Sequence, residues 1–499
     1  MNLKQKAAKG MVWSFIQRWG SQLISFTVFM LLARLLEPQD FGLVALSGVF
    51  IAFMKVFLDQ GFAAAIVQRK EVEQEHLDTA FWVGIGTSLL LMAIAWTSAG
   101  WVAEFYHEPQ LTRVIQFLSI NFVFKALNSV QNAILTRDLA FKTLAVRSLI
   151  GIAAGGAVGV GMALSGFGVW SLVGYQLANS IIEVPILWAV TEWRPSFRCS
   201  GQHFRELFNF GIHVIGMNGL VFLNNYSDNL LIGYYLGAEK LGYYTVAYRV
   251  LTVLTTLLSK TTNQVAFPTF SKLQNDPERL ERAFYKATHL TSLISFPAFL
   301  GIAVLAPELV PTVFGPQWEQ SIPVMQVLTF IGILRTVFQF NGPIMMAMGR
   351  PDWRFKINIM NTVLNVGCFF AVVKLGGGIL AVAIAFVVRS YLFTPVGLWL
   401  ITKLIKMNLR TYLKQFQIPL ISSLGMIGVM LGLKEVLSQW SLAPLVFLGI
   451  CIGAGGIVYA LVTIYFEPNL SRELGDWVKI VTPKRKSKKT KSLDSLKQK

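Results

Sequence analysis

Divided at its polar breaks, the 499-residue chain yields fourteen apolar stretches, each long enough to cross a bilayer. A membrane-spanning helix needs about 20 mostly apolar residues. Within hydrocarbon such a segment must satisfy its own backbone N–H and C=O groups, which selects the α-helix for stretches of this length. The stretches cover 11–35, 42–67, 80–104, 112–136, 142–165, 168–191, 209–236, 241–267, 286–314, 321–348, 355–375, 378–402, 414–434 and 442–466. The expected fold class is an all-α integral membrane protein. Only 14% of the residues are charged, against about 25% in soluble proteins, and the loops are too short for a catalytic domain.

The positive charges fix an orientation. Of 44 Lys and Arg, 31 lie in the two terminal segments and alternate loops, 5 in the opposite loops (Arg34, Arg113, Lys240, Lys374, Lys434) and 8 within the stretches. Basic residues concentrate in cytoplasmic loops, so both termini are expected in the cytoplasm and the number of spans is even. The net charge of +18 falls mostly on that side and in the tail Lys484–Lys499. There it faces anionic lipid headgroups and does not indicate nucleic acid. Met1–Lys9 is basic, but the apolar run after it is too long for a cleavable signal and reads as the first span. Three isolated cysteines (Cys199, Cys368, Cys451) suggest neither disulfides nor a metal site.

The chain also repeats itself. Leu31–Ala45 and Leu231–Thr245 align at an offset of 200, pairing Gly42 with Gly242. At an offset of 210, Gly166–Gly168 matches Gly376–Gly378 and Pro185 matches Pro395; Phe141-Lys142 is echoed nearby by Phe355-Lys356, at an offset of 214. Each half holds six spans, an even number, so the halves are parallel repeats with a site expected between them near the midplane. The expected division is 1–195 (spans 1–6), 196–408 (spans 7–12), 409–467 (spans 13–14) and a basic cytoplasmic tail, 468–499.

Charges inside membrane helices are costly and usually face a protein interior or an aqueous cavity. The embedded set is Arg18, Lys55, Lys125, Arg147, Arg249, Lys260, Arg335 and Arg389, against Asp59, Glu183 and Asp228. Eight cations against three anions leave room for an anionic ligand. Several sit in polar stripes at helical spacing: Arg18, Gln22 and Ser25; Asn121, Lys125, Asn128 and Asn132; Arg335 and Gln339. Asn358, Asn361 and Asn365 form an uncharged stripe, of a kind that often serves as interhelical glue. Arg18, Lys125, Arg249, Arg335 and Arg389 are the expected ligand-binding cations. Asp59, Glu183 and Asp228 are the candidates for ion coupling, although Lys55, four residues from Asp59, is its expected partner. Histidines are scattered and no nucleotide-binding loop is present, so no cofactor, metal or enzymatic chemistry is indicated.

Several segments resemble a known family. Ala33–Ala45 (ARLLEPQDFGLVA), Phe57–Arg69 (FLDQGFAAAIVQR), Gln131–Lys142, Asn229–Arg249, Phe267–Leu273 and Gly349–Lys356 occur in order over roughly residues 8–405. They resemble the polysaccharide transporter branch of the multidrug/oligosaccharidyl-lipid/polysaccharide exporter superfamily, in particular Wzx-type flippases of the colanic-acid and teichuronic-acid kind. The resemblance implies two six-helix lobes around a central cavity, with two further helices at the C-terminus. It implies a bacterial inner-membrane flippase that moves an undecaprenyl-pyrophosphate-linked oligosaccharide to the outer leaflet by alternating access, for lipopolysaccharide or exopolysaccharide biosynthesis. Its expected partners are that lipid-linked oligosaccharide, the bilayer and the polysaccharide polymerase or export machinery. The alternatives are a drug or cation antiporter of the same superfamily and a non-transporting partner of a polysaccharide synthase. A drug antiporter would favour an acidic cavity, contrary to the cation excess.

Overall fold

The computed structural model of the protein describes residues 3–58, 62–69, 71–197, 201–440 and 442–468. The first half contains α1 (Leu3–Leu35), α2 (Pro38–Leu58), α3 (Phe62–Gln68), α4 (Gln74–Phe105), α5 (Leu111–Ser119), α6 (Asn121–Arg137), α7 (Phe141–Leu164) and α8 (Val169–Val190). The second contains α9 (Gly201–Leu273), α10 (Pro277–Val313), α11 (Ser321–Val337), α12 (Asn341–Ala347), α13 (Pro351–Lys374) and α14 (Ile379–Ile405). The short α15 (Leu409–Lys414) leads to α16 (Gln417–Ser438) and α17 (Pro444–Phe466).

Eleven helical stretches among the described residues are long and apolar enough to cross a membrane, fewer than the fourteen expected. The difference has three local causes. Polar residues such as Arg18, Ser21, Gln22 and Ser25 dilute the apolar run of α1. The fourth expected span is divided at Ile120 into α5 and α6, each too short alone. The seventh and eighth fuse into α9, interrupted only at Gly237, whose φ of 85° and ψ of 173° are not helical.

Helix ends follow from local chemistry. Asp276 caps α10 by accepting from the Arg279 N–H at 3.1 Å, and Pro277 takes the first-turn position where its missing N–H costs nothing. Asn408 caps α15 through the N–H groups of Arg410 and Thr411. The tight turns repeat in geometry as well as in sequence. After α7, Gly166 (φ 79°) donates to Ala163 O and Phe167 to Met162 O; after α13, Gly376 (φ 80°) donates to Val373 O and Gly377 to Val372 O. Both are left-handed helix ends whose paired bonds satisfy orphan carbonyls, and all partners differ by 210. The ends of α6 and α12 obey the same offset: Ala140 donates to Leu135 O and Arg350 to Met345 O, with Leu139 (φ 56°) standing where the second half has Gly349 (φ 70°).

The halves join chiefly where α2 packs along α9, in a core that includes Phe41, Leu46, Ile232, Leu241, Tyr244 and Trp318. The last two long helices pack on each other and on α10 through Leu305, Met426, Met430, Leu448 and Cys451. Lys434 reinforces this contact, 2.8 Å from Glu308 and donating to Val304 O at 3.2 Å. Loops assigned by charge to one side meet one another: Arg137 donates to the carbonyls of Ile66 and Arg69, Gln74 to Arg194 O, and Tyr285 to Asn408 O. Opposite loops meet likewise, Arg34 with Thr312 and Lys240 with Gln320.

Candidate functional site

The second half contains a cavity of about 370 Å³ between α9 and α11–α14. Its polar lining is Arg335, Arg354 and Arg389, the asparagines Asn224, Asn341, Asn358, Asn361 and Asn365, and the hydroxyls of Ser390 and Thr394. Among the described residues no carboxylate lines it. Phe338, Phe386 and Phe393 supply apolar walls.

Helical spacing explains this convergence. Arg354, Asn358, Asn361 and Asn365 recur every three or four residues on α13 and so share one face. Across from them, Arg389 on α14 donates to Oδ1 of both Asn361 and Asn365. Asn365 in turn donates through Nδ2 to Asn224 Oδ1 on α9 at 3.0 Å. Arg389 is thus held by neutral amide oxygens, which orient the guanidinium without cancelling its charge. Its Nε is buried and has no hydrogen-bond partner among the described residues.

Arg335 is stabilised differently. Its guanidinium lies 5.5 Å from the ring centroid of Tyr248 and 5.3 Å from that of Phe386, a cation–π arrangement. Behind it stands Asp228, buried and within electrostatic reach. Asp228 accepts from the Tyr244 hydroxyl at 3.0 Å and from the Asn229 N–H at 2.9 Å. One carboxylate therefore backs one of the three arginines from outside the cavity lining.

Of the five cations expected to bind ligand, Arg335 and Arg389 line this cavity; Arg18, Lys125 and Arg249 do not. Arg249 sits at the seam between the halves, donating to Ser25 Oγ on α1 at 2.9 Å and lying 5.6 Å from the Phe29 ring centroid. Arg18 is half-buried on α1, and Lys125 is exposed on α6. Lys125 lies within electrostatic reach of Glu183, whose nearer partner is Arg147 at 3.8 Å; Arg147 also donates to Asn132. Asp59 and the Lys260 side chain lie outside the described residues. Arg354, which is not among the five expected cations, joins the α13 stripe at a spacing legible in the sequence, with Asn358 and Asn361 at i+4 and i+7.

The repeat shows how the halves diverged. At the offset of 210, Gly151, Gly155 and Asn179 stand where the second half has Asn361, Asn365 and Arg389. The helix contact is kept: a Cβ on Gly151 would lie 2.6 Å from Asn179 Oδ1, and one on Gly155 2.9 Å from Asn179 Cβ. Small residues bring α7 and α8 close in the first half, whereas the second half fills the same junction with a cation and its amide holders.

A helical repeat membrane fold with a cationic, amide-lined chamber defines a transporter architecture. Residues 31–323 match the family described as polysaccharide biosynthesis protein, more than half of the chain, and the chain belongs to that family. It is similar to the teichuronic acid biosynthesis protein TuaB of Bacillus subtilis (strain 168), 27% identical with 95% of this chain and 98% of that protein covered. It is also similar to the lipopolysaccharide biosynthesis protein WzxC of Escherichia coli (strain K12), 29% identical with 88% and 89% covered. Among solved structures, the lipid II flippase MurJ in an inward closed conformation superposes with a TM-score of 0.73 at 14% identity, covering 93% of this chain and 99% of that one.

Proposed function

We propose that this protein is a flippase that carries an undecaprenyl-pyrophosphate-linked oligosaccharide across the bacterial inner membrane for lipopolysaccharide or exopolysaccharide biosynthesis. The observation that carries the reading is the chamber itself: three arginines and five asparagines, with no carboxylate among its described lining residues. A diphosphate supplies the missing negative charge, and guanidinium groups bind phosphate oxygens in planar, bidentate fashion. At an effective dielectric of 20, one unit charge about 4 Å from another is worth about 4 kcal/mol, so the chamber selects anions strongly. The amides and hydroxyls suit sugar hydroxyls, while the lipid tail stays in the bilayer. The relatives named for teichuronic acid and lipopolysaccharide biosynthesis support this substrate class.

In this reading the chain crosses fourteen times with both termini cytoplasmic, as the charge asymmetry favours, and divides at 195/196, 408/409 and 467/468. Arg335, Arg354 and Arg389 hold the headgroup; Arg249, at the seam, and Arg18 and Lys125, in the first half, engage it as the halves close. Asp59, Glu183 and Asp228 are the carboxylates proposed for ion coupling, Glu183 and Asp228 each already facing a cation. The test is an Arg335→Gln, Arg389→Gln double variant in the native host. It should remain in the membrane, stop polymer export and cause the lipid-linked oligosaccharide to accumulate on the cytoplasmic leaflet. Normal export by this variant would overturn the site.

A further inference from the structure

At the end of the molecule opposite the basic loops, the two halves are locked together by contacts that the substrate chamber does not explain. Where α2 crosses the second part of α9, the backbones touch. A Cβ on Gly42 would fall 1.8 Å from Ala238 O, and one on Gly242 would fall 1.9 Å from Pro38 O. These four residues are two repeat pairs at the offset of 200, so each half presents the same patch to the other, as across a two-fold axis. The obstructing atoms are backbone, which cannot rotate away. Only glycine permits this approach.

A second contact lies beside the first. The turn Pro316–Trp318, just beyond α10, seats a fully buried indole against α1. Trp318 Nε1 donates to Ala33 O at 2.8 Å and Gln317 Nε2 donates to the same carbonyl at 2.9 Å. Arg34 donates in the reverse direction, to Thr312 O at 3.0 Å. Ala33 is in the last turn of α1, where carbonyls lack intrahelical partners. The Trp318 ring also meets Phe41 of α2 edge-on at 5.2 Å between centroids.

We propose that these contacts form a two-part gate on the outer face: a glycine crossing that lets the halves close, and a tryptophan latch that holds them closed. It rests on the alternating-access reading but not on the identity of the ligand. The chemistry suits a contact that must break repeatedly. At Pro38, Gly42, Ala238 and Gly242 the contact is backbone against Cβ position, so opening the crossing there requires no side chain to be withdrawn, although Leu46 beside it must leave the space over Gly233. When the latch lifts, water can replace its hydrogen bonds to helix-end carbonyls, because this end faces the aqueous phase. In this proposal a shut gate belongs to the state loaded from the cytoplasm, since Arg354 of the chamber lies next to the turn 349–351 on the side that the basic loops assign to the cytoplasm.

The gate is testable without substrate. With Cys199, Cys368 and Cys451 replaced by serine, a Leu36→Cys probe between the two contacts is buried and should resist a membrane-impermeant maleimide added to intact cells. Adding Gly42→Ala and Gly242→Ala should raise its labelling rate roughly tenfold or more, as a minor open state becomes the major one. An unchanged rate, or a rise seen only when the reagent is added to inverted membranes, would overturn the proposal. Because the alanines could impair folding, a second measurement retains both glycines. Arg34→Cys with Thr312→Cys, bridged by a short bifunctional thiol reagent with a reducible linkage, should abolish polymer export and regain it on reduction. Export that continues through complete bridging would overturn the gate while leaving the arginine chamber intact. Conversely, loss of the chamber reading through the Arg335/Arg389 variants would leave the labelling result standing.

Discussion

Arg389 shows how a single side chain can be held yet remain available. Its holders, Asn361 and Asn365, accept hydrogen bonds but carry no charge. Asn361→Asp is nearly isosteric and would place a carboxylate against the guanidinium. That internal ion pair competes with any incoming anion, so export should fall at least roughly tenfold, the effect of about 1.4 kcal/mol, while Asn361→Gln keeps most activity. Equal activity for the two variants would remove charge from the argument. Arg389→Lys keeps the charge but loses the planar fork, so its export should lie between that of the native protein and Arg389→Gln. Leu139 makes a different point. It occupies a left-handed conformation (φ 56°) where its repeat counterpart is Gly349. Such a conformation costs a non-glycine residue about 1–2 kcal/mol. Leu139→Gly should therefore raise the unfolding temperature in detergent, and a lowered one would show that the leucine side chain contributes more than its backbone costs.

Among the elements, α17 is tied to α10 by polar contacts, Tyr459 donating to Leu293 O at 2.7 Å and a histidine at its end. His289 on α10 faces acceptors on both ring nitrogens: Gln415 O lies 2.8 Å from Nδ1, and Glu467 Oε2 lies 3.0 Å from Nε2. His289→Ala should loosen the end of α17 by about 1–3 kcal/mol, visible as faster backbone hydrogen exchange near residue 466 with α11–α14 unchanged. Exchange that does not change there would mean that the apolar contact of α16 and α17 with α10 suffices. The helix α13 carries the opposite lesson. Its asparagine stripe reads from sequence as either glue or cavity lining, and it serves both: Asn365 joins α9 to α14 and also faces the chamber.

For the whole molecule, topology is the property most open to a direct check. Reporter fusions after Glu37, Ser165, Gly237 and Gly376 should register outside, and those after Gln74, Ser200 and Asn275 in the cytoplasm. Consistent inversion would reverse both the orientation and the side on which the proposed gate lies. The helical membrane class, the repeat and the tight turns were legible because they depend on local rules. Hydropathy over about 20 residues marks a span, and a glycine pair marks a left-handed helix end wherever it falls. Even Arg354 could have been read from its spacing along α13.

What the sequence could not decide was which charges meet. Eight embedded cations are alike in a linear reading, because depth and facing depend on how helices cross. Tertiary packing placed Arg335 and Arg389 in one chamber, put Arg249 at the seam with Ser25, and paired Arg147 with Glu183. It also gave the repeated Gly42 and Gly242 their use. The sequence determined that two equivalent glycines exist; only the crossing of α2 with α9 shows that each makes room for the other half's backbone, since the 1.8 Å at which a Cβ on Gly42 would meet Ala238 O is a property of two segments far apart in the chain and of neither one alone.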